Sequence, residues 1–241
     1  MRGGEIASGG LHTPYPARQS HSTVGLWTMK LFSCIVLRRS AEETAVVDQP
    51  VPATVCCSAF EVSHLRLWER GGAREFLTFL SRTMAQRVAN DSRVAVKEKE
   101  YQVYAQAVGA NLVLVAIADM EYPMRVAFSM LSSLASQFTD TFRGRFEKPA
   151  DAAYRDNYVT WPVLDGTVAQ YQQPQDADPL FRVQKQIDET HVVMLGAIHE
   201  ALKRGEDVDE LLAQSRDLST TSKGLYTASK KAGGTCACAV M

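Results

Sequence analysis

Tyr101-Gln102-Val103-Tyr104-Ala105-Gln106-Ala107-Val108-Gly109-Ala110-Asn111-Leu112-Val113-Leu114-Val115-Ala116-Ile117-Ala118 reads as two strands, Tyr101 to Val108 and Asn111 to Ala118, folded back on each other. β-branched, aromatic and aliphatic residues fill both halves, and Gly109-Ala110 supplies the turn. Two strands joined so tightly pair antiparallel. Asp119 to Pro123 breaks the pattern, and Met124 to Phe142 reads as a long helix. Upstream, Leu31-Phe32-Ser33-Cys34-Ile35-Val36-Leu37 reads as a buried strand and Thr54 to Val62 as a second. An amphipathic helix from about Ala73 to Ala89 follows, with Phe76, Phe79, Leu80, Met84 and Val88 on one face, and then a strand at Val94 to Glu98. This order, two strands, helix, three strands, helix, defines an α+β domain with a five-stranded antiparallel sheet and flanking helices.

Around this domain the composition changes. Residues 1–28 are rich in Gly, Ser, His and Thr, lack periodicity and are expected to be disordered, with Met29 the expected physiological start. The domain is expected to span 29–150. Residues 151–179 have a linker's character, with Pro162, Pro174 and Pro179 and one short helix around Val163 to Tyr171.

Beyond Pro179 the spacing becomes heptadic. Steps of three and four from Leu180 reach Val183, Ile187, Thr190, Met194, Ala197, Ala201, Arg204, Val208, Leu211, Ser215, Leu218, Ser222 and Leu225. A seam of about seven heptads over 180–235 predicts one helix roughly 80 Å long, which needs partner helices to cover it. Small seam residues suit a bundle of more than two strands. Arg204 sits mid-seam, where a guanidinium needs polar partners from other helices. Beside the seam runs a second apolar row, Leu195, Ile198, Leu202 and Leu212, one residue off register. This row makes the helix wider on its apolar side than a bundle requires. Part of this segment is therefore expected to fold back on the domain, near the helix face bearing Phe76, Phe79 and Leu80.

The chain ends in Cys238-Ala239-Val240-Met241, a Cys-aliphatic-aliphatic-Met box in which Met favours a farnesyl group on Cys238. One lipid gives only weak, reversible anchoring, and Cys236, a candidate for palmitoylation, offers the second signal. With five cysteines, none in a C-x-x-C pair, the chain fits a reducing compartment facing the cytosol. A net charge of -1 with no basic block argues against nucleic acid as a partner. The longest apolar run, Leu112 to Ala118, is far shorter than a membrane span.

Several stretches resemble the prenylated longin-domain R-SNAREs of the YKT type. They are Met29-Lys30-Leu31, Arg74-Glu75-Phe76-Leu77-Thr78-Phe79, Ala95-Val96-Lys97-Glu98, Ile117 to Phe128, Leu164-Asp165-Gly166, Asp178-Pro179, Leu202-Lys203-Arg204-Gly205-Glu206, Ser222-Lys223-Gly224-Leu225-Tyr226 and the Cys box. The resemblance implies a profilin-like longin domain followed by a SNARE helix, with Arg204 as the ionic-layer residue meeting three glutamines from Q-SNARE helices of syntaxin type and relatives. It implies a membrane-fusion role at the cytoplasmic face of Golgi, ER-derived, endosomal and vacuolar membranes. Partners implied include a disassembly adaptor and its ATPase. Two departures stand out: Ala237 separates the two tail cysteines, and Arg143 to Trp161 is longer than usual.

No catalytic residues and no metal ligands are expected, and no cofactor beyond the covalent lipids. The absence of a G-x-x-x-x-G-K-[ST] loop excludes the small prenylated GTPases. Two alternatives remain: a self-acylating protein using Cys56-Cys57, and a lipid-anchored trafficking adaptor without fusogenic activity.

Overall fold

The computed structural model describes residues 30–39, 53–98, 101–143, 156–174, 192–202, 208–215, 218–224 and 227. The expected N-terminal extension, seam residues Leu180, Val183, Ile187 and Leu225, the central Arg204, and the tail cysteines Cys236 and Cys238 lie outside them.

In chain order the elements are β1 (Leu31–Arg39), β2 (Ala53–Phe60), α1 (Glu69–Ala85), β3 (Arg93–Lys97), β4 (Gln102–Val108), β5 (Leu112–Ala118), α2 (Met124–Phe142), α3 (Pro162–Gln170), β6 (Val192–Leu195), α4 (Ile198–Ala201) and α5 (Val208–Gln214). The β4–β5 hairpin turns at Gly109, whose φ of 61° lies in the left-handed region that glycine tolerates. Its amide donates to Asp91 Oδ1 at 2.6 Å. The hairpin sits inside a sheet of order β2-β1-β5-β4-β3-β6.

β5 is buried along its whole length because both faces are covered. Leu112, Leu114, Ala116 and Ala118 join the core under α2 and α3, with Leu131, Leu134 and Phe138. Val113, Val115 and Ile117 join the core under α1, with Leu77, Leu80 and Met84. Successive strand residues face opposite ways, so one apolar run feeds two cores. Pro123 precedes α2 in an extended conformation, which accounts for the abrupt switch from sheet to helix.

The linker-like stretch carries the expected short helix, α3, and packs onto the domain. Trp161 meets Phe138 edge-on at 5.3 Å between ring centroids, and Leu164 and Val168 are buried. Just before it, the amides of Asn157 and Val159 donate to Val55 O and Cys56 O at 2.9 and 3.0 Å, docking this turn-containing segment against β2.

One expectation is revised. Where the spacing predicts a continuous helix and a five-stranded sheet, the described part of the C-terminal segment contributes a sixth strand, β6, then α4, α5 and a helical turn at 220–224. β6 runs parallel to β3, with Val192 opposite Arg93 and Leu195 opposite Val96. The physical reason is the absence of partner helices. A seam with nothing to bury against gains little as a helix, whereas the open edge of β3 offers unpaired backbone groups to β-branched Val192 and Val193. Gly196, a weak helix former, follows at once.

Candidate functional site

The candidate site is the face on which the C-terminal segment lies. Leu80 of α1 is fully buried, and Phe76 and Phe79 are half-buried at the rim of the same core. Phe76 meets Tyr101 edge-on with ring centroids 6.2 Å apart. Phe76, Phe79 and Leu80 thus form one surface, Leu80 as its floor and the two phenylalanines as its edge.

The segment covers this surface with the off-register row. Ile198 is 1% exposed and Leu202 8%, both inside the core formed with Leu77, Leu80 and Val103. Leu212 and Leu218 are also buried, and Leu195 is half-buried. The seam residues divide, Ala201, Val208 and Leu211 packing against the same core. Met194 is 55% exposed, while Ala197, Ala201, Val208 and Leu211 are half-buried; among the described seam residues of apolar type only Leu218 is buried.

Two carboxylates of the domain, Glu98 and Glu75, fasten the docked segment, and a third, Glu200, closes a bond within it. Glu98 Oε1 accepts the Ile198 amide at 2.7 Å, and Glu200 Oε2 accepts the Gly196 amide nearby at 2.9 Å. Glu75, one turn before Phe79, accepts the Ser219 amide at 2.9 Å and the hydroxyl of fully buried Ser222 at 2.5 Å. These donors hold the Glu75 carboxyl below its usual range, the Ser222 hydroxyl contributing most. Sequence reasoning missed Glu75 and Glu98 as contacts, because nothing local in a helix or strand end marks which distant amide a carboxylate will meet.

Beside Phe79 opens a cleft of about 770 Å³, lined by Phe60, Arg74, Thr78, Phe79, Trp161 and Leu164 among others. Its walls mix aromatic surface with charge, including the Arg82–Asp156 ion pair. The cysteines at the β1–β2 end have a different character. Burial pushes the Cys34 thiol up to about 12 and Cys56 up to about 11, the latter despite a 3.1 Å contact with the Tyr158 hydroxyl, and Cys57 is raised as well. Neutral, enclosed thiols are poor nucleophiles, which weighs against self-acylation through Cys56-Cys57. Among the described residues no cluster of His, Cys, Asp and Glu could hold a metal, and no helix is long and apolar enough to cross a membrane.

Known families account for both halves of this arrangement. Residues 62–159 match the longin family, described as a regulated-SNARE-like domain, and residues 179–238 match the synaptobrevin family. A longin domain carrying a synaptobrevin segment defines the class: an R-SNARE of vesicle trafficking. Similar proteins narrow it further. The chain is 33% identical to the VAMP-like protein YKT61 of Arabidopsis thaliana, over 86% of its own length and 98% of that protein. It is 32% identical to the synaptobrevin homolog ykt6 of Schizosaccharomyces pombe over the same shares, and 32% identical to YKT6 of Saccharomyces cerevisiae over 73% and 87%. The chain belongs to the YKT6 family of longin-domain SNAREs.

Proposed function

We propose that this protein is the arginine-bearing strand of a four-helix fusion bundle, closed on its own longin domain until partner helices or a membrane capture it. In this reading 29–150 is the regulatory domain, 151–179 the connection, 180–235 the bundle helix and 236–241 the anchor. Leu180, Val183, Ile187, Met194, Ala197, Ala201, Val208, Leu211, Leu218 and Leu225 line the seam against three Q-SNARE helices. Arg204 offers its five donors to three glutamines between apolar layers. An adaptor and ATPase take the spent bundle apart. Farnesyl on Cys238 and an acyl chain on Cys236 hold the protein on Golgi, ER-derived, endosomal or vacuolar membranes. The cleft beside Phe79 offers a seat for the lipid in the closed form.

The observation that carries the reading is the docking of the C-terminal segment on the domain. Ile198 and Leu202 are buried in the core under α1, the seam residues Ala201, Val208 and Leu211 pack half-buried beside them, and the seam residue Met194 stays exposed, so undocking would free a seam for other helices. Opening converts β6 and the short helices into one continuous helix, with the work of fusion coming from successive burial of seam layers.

The test is assembly of residues 180–232 with three Q-SNARE helices, followed by thermal unfolding. A heat-resistant complex is expected, and Arg204→Ala should weaken it by about 1–3 kcal/mol because buried glutamines lose their partner. Failure to assemble would leave the adaptor reading in its place.

A further inference from the structure

At the opposite end of α1 from its core-facing middle, the loop entering the helix carries a feature that neither closure nor bundle assembly uses. Leu67 is 76% exposed and Trp68 70%, the two most exposed large apolar side chains among the described residues. They stand next to each other on a loop that is held in shape. Arg70 donates from Nε to Leu65 O at 3.0 Å and from its terminal nitrogen to Ser63 O at 2.6 Å. Glu69 Oε2 accepts the Arg66 amide at 3.2 Å, and the Leu65 amide donates to Val62 O at 3.1 Å. The tip is therefore presented by its own hydrogen bonds.

Its charges are sorted by exposure. Arg66 is exposed and its guanidinium lies 5.5 Å over the Trp68 ring, whereas the Arg74 guanidinium lies 5.8 Å over the Phe60 ring at the cleft. Arg70 and Lys30 are half-buried nearby. The local carboxylates are half-buried and engaged: Glu61 by Ser63, Glu69 by the Arg66 amide and Glu75 by Ser219 and Ser222. We propose that the Leu67-Trp68 tip, with Arg66 and Arg70 beside it, docks the longin domain directly onto an anionic lipid surface.

Size and chemistry select this occupant over a protein. A two-residue apolar tip is far smaller than the roughly 800 Å² per partner of a stable protein interface. Indole rings settle at the membrane–water interface, and arginines beside them gain from the negative potential of anionic headgroups. The contact goes beyond the fusion reading and needs neither the lipid tail nor the bundle, so either can fail alone. It supplies a further weak membrane signal of the kind a single lipid anchor requires.

The experiment is vesicle flotation of the full chain carrying Cys236→Ser and Cys238→Ser, so that no covalent lipid contributes. Vesicles of phosphatidylcholine alone are compared with vesicles containing phosphatidylserine. Binding is expected only to the latter, and in a Trp27→Phe background indole emission should shift to the blue and be quenched by brominated lipid; buried Trp161 contributes an unchanging background. Leu67→Ser with Trp68→Ser should reduce binding about tenfold, and Arg66→Glu by several-fold. Leu67, Trp68 and Arg66 lie at the surface, so unchanged thermal unfolding checks the fold. Absence of binding, equal binding to both vesicle types, or full binding by the Leu67→Ser, Trp68→Ser protein would overturn the proposal. So would tip-dependent self-association without flotation.

Discussion

Glu75 shows how much a single side chain contributes to holding the C-terminal segment down. Its carboxylate accepts from Ser222 and Ser219, and those bonds form only when the segment is docked. Its pKa is therefore lower closed than open. A depressed carboxyl adds stability above its ordinary pKa, about 4.3, and loses it as pH falls through the lower closed value. Acidification below about pH 4.3 should thus loosen the 218–224 turn, read as a smaller protection factor at the Ser219 amide, its exchange taken relative to the intrinsic rate at each pH. Glu75→Gln should give faster exchange at neutral pH by several-fold and a flatter response to acid; an unchanged rate would show that the apolar contacts alone hold the turn. Residue-level features were legible where they are local. Gly109 at the hairpin turn and Pro123 before α2 announce themselves by type. Glu75 does not, since its partner lies far along the chain and only meets it on closure.

Among the elements, α2 falls where its periodicity places it, Met124–Phe142, and the central hairpin within a residue of its reading. These elements depend on neighbours that are always present. β6 could not be read in the same way, because its residues follow a helical repeat that holds only when other helices supply a surface. The row beside the seam was legible, and Ile198, Leu202 and Leu212 are buried, with the seam residues Ala201, Val208 and Leu211 half-buried beside that core and Leu218 buried as well. This makes a sharp comparison possible. Leu202→Glu places a carboxylate in a core where the leucine is 8% exposed, costing about 2 kcal/mol or more, and should undock the segment. Met194→Glu changes a residue already 55% exposed and should leave it docked while weakening the proposed bundle. Protease sensitivity of the segment reads the first effect, and complex melting the second. Undocking by Met194→Glu and not by Leu202→Glu would reverse the assignment of the two rows.

For the molecule as a whole, the docked segment conceals an apolar edge, and in the proposed reading membrane capture competes with that docking. Phe79 borders both the docking surface and the cleft. Phe79→Glu should shift the lipidated protein from the soluble to the membrane fraction several-fold by favouring the open form. Unchanged partitioning in a protein that still melts normally would count against a closed state that governs location. At this scale the domain and its folded-back tail were legible from the two apolar rows, whereas the exposed Leu67-Trp68 tip was not. In sequence, Leu67 and Trp68 look like ordinary candidates for a core, and only the completed fold leaves them outside.

The one-residue offset between the docking row and the seam has a consequence for heredity. Since Leu202 is buried against the domain and Met194 is not, a lineage can strengthen or relax the grip of the domain at one position while the other keeps its spelling. In the proposed reading, restraint and fusion are written in the same stretch of chain but need not evolve together.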